Sequence, residues 1–174
     1  FKSLEMPTGE KVLSDTKIPR WLMESSKEEK AEFLAALMGS DGYGLSKAKN
    51  SKLDFNALRL SFNKITELEK GAWEIANQIR QLFNDVDIEI SSIKKRSGNI
   101  RKDGKKTFKL QITLSKNIGN TIKFLENVGF RYCKRKESNA KKWPAYLNAY
   151  GVRLNELKEL NKAVIGLKET GDYT

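Results

Sequence analysis

The stretch Phe33-Leu-Ala-Ala-Leu-Met-Gly-Ser-Asp-Gly42 constrains this chain more than any other. It is apolar on every side, so a helix built from it belongs inside a core, and it stops abruptly at an acidic residue and a glycine. Ala36 and Ser40 stand four apart, as do Ala35 and Gly39, so two adjacent ridges of that helix carry almost no side chain. Two such helices could pack backbone to backbone. A carboxylate in a helix's last turn faces the negative end of the macrodipole, at a cost of roughly 0.3 to 1 kcal/mol. A divalent cation bound at Asp41 would reverse that sign. The plainer account is an ordinary turn, with Gly42 as a left-handed C-cap.

A chain of 174 residues suffices for one domain with terminal extensions and a real core. The single Cys133 forms neither an intrachain disulfide nor a zinc site, and a lone thiol fits a reducing compartment, so a cytoplasmic, microbial protein is expected. Histidine is absent, which excludes histidine-based nucleases, serine hydrolase triads and cysteine–histidine pairs. Any catalysis must use carboxylates, lysines and metal ions. The net charge of +11 makes nucleic acid the leading partner. A membrane is not expected, because no apolar run approaches the roughly 18 residues of a spanning helix.

Turn residues Pro7, Gly9 and Pro19 mark residues 1–24 as an irregular arm, and the natural N-terminus is expected upstream of Phe1. Ser25 or Ser26, with Glu28 or Glu29 three residues on, forms a capping box for the apolar helix. Leu58, Leu60 and Phe62 then alternate with Arg59, Ser61 and Asn63, as in a strand with one packed and one polar face. A helix follows over about 67–83, with Leu68, Trp73, Ile75, Ile79 and Leu82 as core, then strand character over 86–93. A polar turn spans 94–106. In 107–114, Phe108, Leu110, Ile112 and Leu114 point one way and Lys109, Gln111 and Thr113 the other. Helices are expected over about 119–127, 139–149 and 154–167, with a short extended run after Gly129-Phe130. The chain divides into an arm (1–24), a core (25–150) and a C-terminal helix and tail (151–174).

The Phe33–Gly42 stretch resembles the motif that names the LAGLIDADG, or dodecapeptide, homing endonucleases. Leu34, Ala35, Leu37, Asp41 and Gly42 match it letter for letter; Ala36, Met38, Gly39 and Ser40 replace glycine, isoleucine, aspartate and alanine. The resemblance implies an α+β fold, the αββαββα core of the family, over roughly residues 25 to 140, with a four-stranded antiparallel saddle whose polar face lies in the DNA major groove, and with extra C-terminal helices. It implies that two motif helices cross through Ala35, Ala36, Gly39 and Ser40 and set two motif aspartates side by side over the scissile phosphates. Ile18-Pro-Arg-Trp-Leu22 and the tail Glu169-Thr-Gly-Asp-Tyr173 are similar to endonuclease regions of inteins. Splicing itself is not expected, since the chain has neither a nucleophilic first residue nor a terminal His-Asn.

The activity so implied is site-specific hydrolysis of double-stranded DNA, with Asp41 and Gly42 holding Mg²⁺ or another divalent cation. Gly129-Phe-Arg-Tyr-Cys-Lys-Arg-Lys136 resembles the extended segment that carries the family's active-site lysine; Lys134 is the first match and Lys136 the second. Asn63 or Lys64 matches the polar residue ending the second strand. The expected DNA contacts are Lys47, Lys49, Arg59, Ser61, Asn63, Lys94, Lys95, Arg96, Arg101, Lys102, Lys105, Lys106, Lys109, Gln111, Arg135 and Lys136, while Asp87 and Glu89 either read cytosine amino groups or face elsewhere. One motif makes half a site, so the chain is a homodimer or lacks the first half of a two-motif enzyme. The alternatives are a non-cleaving DNA-binding protein of the same fold and an RNA-splicing maturase.

Overall fold

The computed structural model describes residues 10–49 and 54–170. Its elements run α1 (Arg20–Met23), α2 (Lys27–Ser40), β1 (Gly42–Tyr43), β2 (Arg59–Ile65), a 3-10 turn (Thr66–Leu68), α3 (Glu69–Asp85), β3 (Ile90–Ile100), β4 (Lys106–Leu114), α4 (Ile118–Asn127), α5 (Lys134–Ala140) and α6 (Trp143–Thr170). From α2 to α4 the order is αββαββα. The strands form one antiparallel sheet in the order β1-β2-β4-β3.

Helix α2 begins at the expected capping box, made by Ser26 and Glu29: the Glu29 amide donates to the Ser26 hydroxyl at 3.3 Å, and the Ser26 amide donates to the Glu29 carboxylate at 2.9 Å. Leu34, Ala35, Met38 and Gly39 are buried. Helix α3 buries Ala72, Ile75, Ala76, Ile79, Leu82 and Phe83, and Trp73 lies at the margin of the core, whereas Leu68, in the 3-10 turn before α3, is half-buried outside it. The two helices are pinned together by Lys30 and Asp85 at 2.8 Å. Leu60, Phe108, Leu110 and Ile112 close the core from the sheet.

Gly42 is not a left-handed C-cap. Positive φ occurs at Asp87, Gly104, Gly129 and Tyr132 among the described residues, and Asp41 itself caps α2 in a right-handed conformation. Gly42 is required by space, since a Cβ there would stand 2.7 Å from the Met38 carbonyl oxygen and 2.8 Å from the Met38 sulfur. Gly129 does end α4 left-handed, at φ 69°, its amide donating to the Phe124 carbonyl at 2.7 Å.

Three boundaries move. Strand β3 starts at Ile90 and runs to Ile100, so the hairpin turn shrinks to Arg101–Lys105 and much of the basic segment is strand. The run after Phe130 turns helical at Lys134. The two C-terminal helices are one, α6, with Gly151 and Gly166 inside it, which removes the boundary expected at residue 150. Residues 171–174, with most of the intein-like tail, lie outside the described residues.

Gly39 is the tightest point of the core. A Cβ there would stand 1.8 Å from the Arg131 carbonyl oxygen, and the Arg131 amide donates to the Ala35 carbonyl at 3.0 Å. The expected role of Ala35 and Gly39 in a dimer interface is therefore corrected: that ridge receives the chain's own 130–132 segment. Ala36 and Ser40 lie on the outer side of α2 with Phe33 and Leu37, none of them buried. Gly39→Ala should destabilise the isolated chain by about 3 kcal/mol or more, measured by urea denaturation, whereas Ala36→Leu should leave the unfolding free energy within about 0.5 kcal/mol of wild type.

Candidate functional site

Side chains in a strand alternate between faces, so register assigns each one. Opposed across β2, β4 and β3 are Arg59, Thr113 and Ser92; then Ser61, Gln111 and Lys94; then Asn63, Lys109 and Arg96. These rows form the polar face. The guanidinium of Arg59 lies over the Tyr43 ring, 5.1 Å from its centre, extending the face onto β1.

Where this face meets the end of α2, an open cleft of about 430 Å³ is lined by Ser40, Asp41, Gly42, Tyr43, Ser61, Asn63, Lys109, Arg135 and Lys136. The motif carboxylate thus shares a cleft with strand residues well separated from it in sequence. Asn63 is in the cleft; Lys64, the other candidate for the same role, is not. Lys64 points to the opposite face of β2 and is 4% exposed.

The lysine at the motif is Lys136. Its ammonium donates to the carbonyls of Met38 at 3.0 Å, Gly39 at 2.6 Å, Ser40 at 3.3 Å and Gly42 at 2.6 Å. It is a C-terminal cap made by a side chain from another helix, a cation on the negative end of the dipole. On an α-helix, positions two apart point about 200° from each other, so Lys134 faces away and does not line the cleft. Of the two lysines expected here, Lys136, placed second, is the one held at the end of α2. The carbonyl of Gly42, a residue expected with Asp41 at the metal, accepts from Lys136.

Segment 129–139 is fixed by further contacts to α2, to the loop after β1 and to α4. Arg131 pairs with Glu32 at 3.0 Å, a contact that holds the Glu32 carboxyl below its usual range, and Asn139 donates to the Leu45 carbonyl at 2.9 Å. Phe130 packs edge-on against Phe124, centroids 5.4 Å apart.

The remaining basic residues separate into two groups. Lys94, Arg96 and Lys109 occupy the polar face, and Lys102, Lys105 and Lys106 are exposed around the hairpin tip. Lys95 is on the helix side of the sheet, 2.6 Å from Glu69 and over the Phe108 ring, which corrects its placement among the DNA contacts. Arg101 is paired with Glu10 at 2.7 Å and Asp103 at 3.3 Å. Lys47 lies over the Tyr146 ring at 5.2 Å, and Lys49 is exposed in the loop after β1, outside the cleft. Asp87 pairs with Lys27, away from the polar face. Glu89 presents its backbone to Asn120, and its side chain is exposed.

Two participants had no sequence signal. Tyr43 is reached only through the pairing of β1 with β2. Lys11, from the arm, brings its ammonium to 3.3 Å from an Asp41 carboxylate oxygen.

Among the described residues, no three carboxylate, thiol or imidazole groups converge as a metal cluster. Asp41 is a single half-exposed carboxylate in a basic cleft. Mg²⁺ commonly binds through one or two carboxylates with phosphate oxygens and water completing its shell, so Asp41 fits as one protein ligand of an ion shared with a phosphate. No helix among the described residues is long and apolar enough to cross a membrane.

No family model matches the chain, and no solved structure matches it significantly. Several curated proteins do. A tRNA-splicing ligase RtcB of Methanopyrus kandleri is 29% identical over 176 aligned positions, covering 100% of this chain and 17% of that protein. The DNA-directed RNA polymerase subunit Rpo1N of Methanocaldococcus jannaschii is 30% identical over 147 positions, 84% of this chain and 10% of the subunit. The RtcB ligase of the same organism is 31% identical over 134 positions, 77% and 13% respectively. The chain therefore spans less than a fifth of the length of these relatives.

Lys136→Met should remove the cap and destabilise the fold by about 2 kcal/mol. Lys134→Met should stay within about 0.5 kcal/mol of wild type, both read from denaturant melts.

Proposed function

We propose that this chain is the endonuclease portion of an inserted element of intein type: a site-specific double-stranded DNA homing endonuclease of the LAGLIDADG kind. The observation that carries the reading is the cleft itself. It joins Asp41, at the end of the small-residue helix α2, to Asn63 and Lys109 on the polar face of the sheet's two inner strands and to Arg135 of α5. A carboxylate amid cations suits an ion-bridged phosphate, whereas a purely structural turn does not need Arg135 and Lys109 facing it.

The comparisons add independent support. One stretch of chain aligns with both a tRNA-splicing ligase and an RNA polymerase subunit, and accounts for 17% of one and 10% of the other. Two differently named proteins sharing a small segment of this kind is what an element inserted into unrelated hosts produces. The αββαββα order and the intein-like Ile18-Pro-Arg-Trp segment agree with it.

The residues divide the work. Asp41 supplies one ligand for a divalent cation, most simply Mg²⁺, which would activate water and stabilise the leaving oxygen when bound. A second carboxylate comes from a second copy or from the other half of a two-motif chain. The outer ridge of α2, with Ala36 and Ser40 at its centre and Phe33 and Leu37 beside it, is the face such a partner helix crosses. Lys109 and Arg135 neutralise the phosphate, and Asn63 orders water. Arg59, Ser61, Lys94, Arg96 and Gln111 meet base edges and flanking phosphates, and the hairpin with Lys102, Lys105 and Lys106 extends the footprint.

The non-cleaving reading draws on one observation: Lys11 and Lys136 already place ammonium groups at Asp41 and Gly42, so the turn is charge-balanced without a metal. Cleaved duplexes selected from a randomised pool in Mg²⁺ separate the two. A long, near-symmetric site cut by wild type and not by Asp41→Asn is expected. Binding without cutting by either protein would mark a binding derivative or a half-enzyme, which sedimentation mass then distinguishes. The binding constant should fall with salt at a log-log slope of about 0.9 per phosphate contact; a flat response would remove DNA as the partner.

A further inference from the structure

Lys64 is the one buried lysine side chain of the sheet, and the role of the cleft does not use it. Its ammonium is held by the arm: it donates to the carbonyls of Lys11 at 2.5 Å and Ser14 at 2.6 Å and to the Thr16 hydroxyl at 3.1 Å. Burial lowers its pKa, and the Asp15 carboxylate opposes that shift. An apolar residue would fill the same space without the desolvation of a charge. What the lysine does there is fasten residues 11–16.

The arm has further anchors. The Asp15 carboxylate sits where a Cβ at Gly71 would be, 2.1 Å from that position, so α3 has a gap that accepts it. Lys17 pairs with Glu74 at 3.6 Å, and the Ile18 amide donates to Gln78 at 3.1 Å. The Ile65 amide donates to the Val12 carbonyl at 3.3 Å, and Glu10 pairs with Arg101 of the hairpin. Residues 10–18 are thus docked along α3 and across the end of β2.

The same residue that Lys64 holds by its carbonyl, Lys11, reaches Asp41 with its side chain at 3.3 Å. That side chain is 82% exposed. A pair so open to solvent adds little to stability, so the docking of the arm does not depend on it, and the ammonium can exchange Asp41 for another anion without undocking anything.

On the reading of the cleft as a DNA-cutting site, we propose that the arm is part of that site: Lys11 contacts a duplex phosphate beside Asp41, and Lys64 is the positioning residue that holds it there. A cation held by Asp41 would free the Lys11 ammonium for the nearest phosphate oxygen. The arm then flanks the site and is not merely a linker leading to α2.

The test is binding of a random-sequence duplex, followed by fluorescence anisotropy across a salt series, for wild type, K11M, K64M, the double variant and K17M. K11M is expected to lower the salt slope by about 0.9, one phosphate contact, which corresponds to roughly five- to tenfold weaker binding near 0.1 M salt. K64M is expected to give the same loss, and the double variant no more than either alone, because both remove one contact. K17M, whose ammonium sits on Glu74, is expected to keep the wild-type slope. An unchanged slope for K11M overturns the proposal, and so does a K17M loss equal to that of K11M. Losses that add in the double variant overturn the positioning role of Lys64. If K64M fails to fold, K11M and K17M still decide whether Lys11 makes a local contact. A flat wild-type response fails the DNA reading itself and is distinguishable from all of these.

Discussion

The carbonyls at the end of α2 gather the negative end of a fourteen-residue helix at one spot, and the ammonium of Lys136 sits on four carbonyl oxygens there. Much of the rest follows from that contact. A helix that ended there with bare carbonyls beside an aspartate would set like charges together, and the last turn would fray. With the cap in place, Asp41 is held at a fixed point at the mouth of the cleft, and β1 can leave α2 at once and pair with β2. The cap comes from α5, so the segment from Gly129 to Lys136 must be fixed as well. That explains why the Arg131 backbone lies against Gly39 and why Arg131 reaches Glu32. The small residues on this side of α2 exist to let the chain's own backbone approach.

The sheet turns the same logic outward. Its packed face takes the apolar residues of β2 and β4 and also Lys95 and Lys64, each with an internal partner: Glu69 for one, the arm for the other. Its other face keeps Arg59, Lys94, Arg96 and Lys109 for solvent. The net charge of +11 is therefore unevenly spent, because some of the basic residues are consumed in ion pairs that hold the fold. Counting lysines in a run overstates a phosphate-binding surface when one of them points through the sheet.

The element order was legible because its signals are local. A capping box, a period of two in β2 and β4 and an amphipathic α3 each need only neighbours in sequence. The cleft was half legible: Asp41, Ser61, Asn63 and Lys109 can be placed from spacing, since a motif helix and alternating strands can be read from it. What failed depended on conformation that spacing does not encode. Lys134 and Lys136 exchange roles once residues 134–140 are a helix, because a two-residue step reverses direction in a helix and preserves it in a strand. Ala35 and Ala36 look equivalent in sequence, yet one ridge is filled by residues about ninety-five positions away. The arm read as irregular because its backbone oxygens are held by distant groups, the Lys64 ammonium and the Ile65 amide, and a lone Lys64 in a strand gives no hint of them.

If the cleft cuts DNA as proposed, its geometry also bears on why one chain would be incomplete. An ion shared with phosphate needs opposing charge from more than one direction, and the cleft supplies a single carboxylate surrounded by ammonium and guanidinium groups. Those cations favour phosphate but compete with a metal. On the proposed reading, a second carboxylate brought across the outer ridge of α2 would tip the balance toward the metal. On the proposed reading, pairing and metal binding are therefore coupled. The helix crossing creates the charge that retains the ion, and the ion relieves the repulsion between two aspartates that the crossing would otherwise leave unpaired.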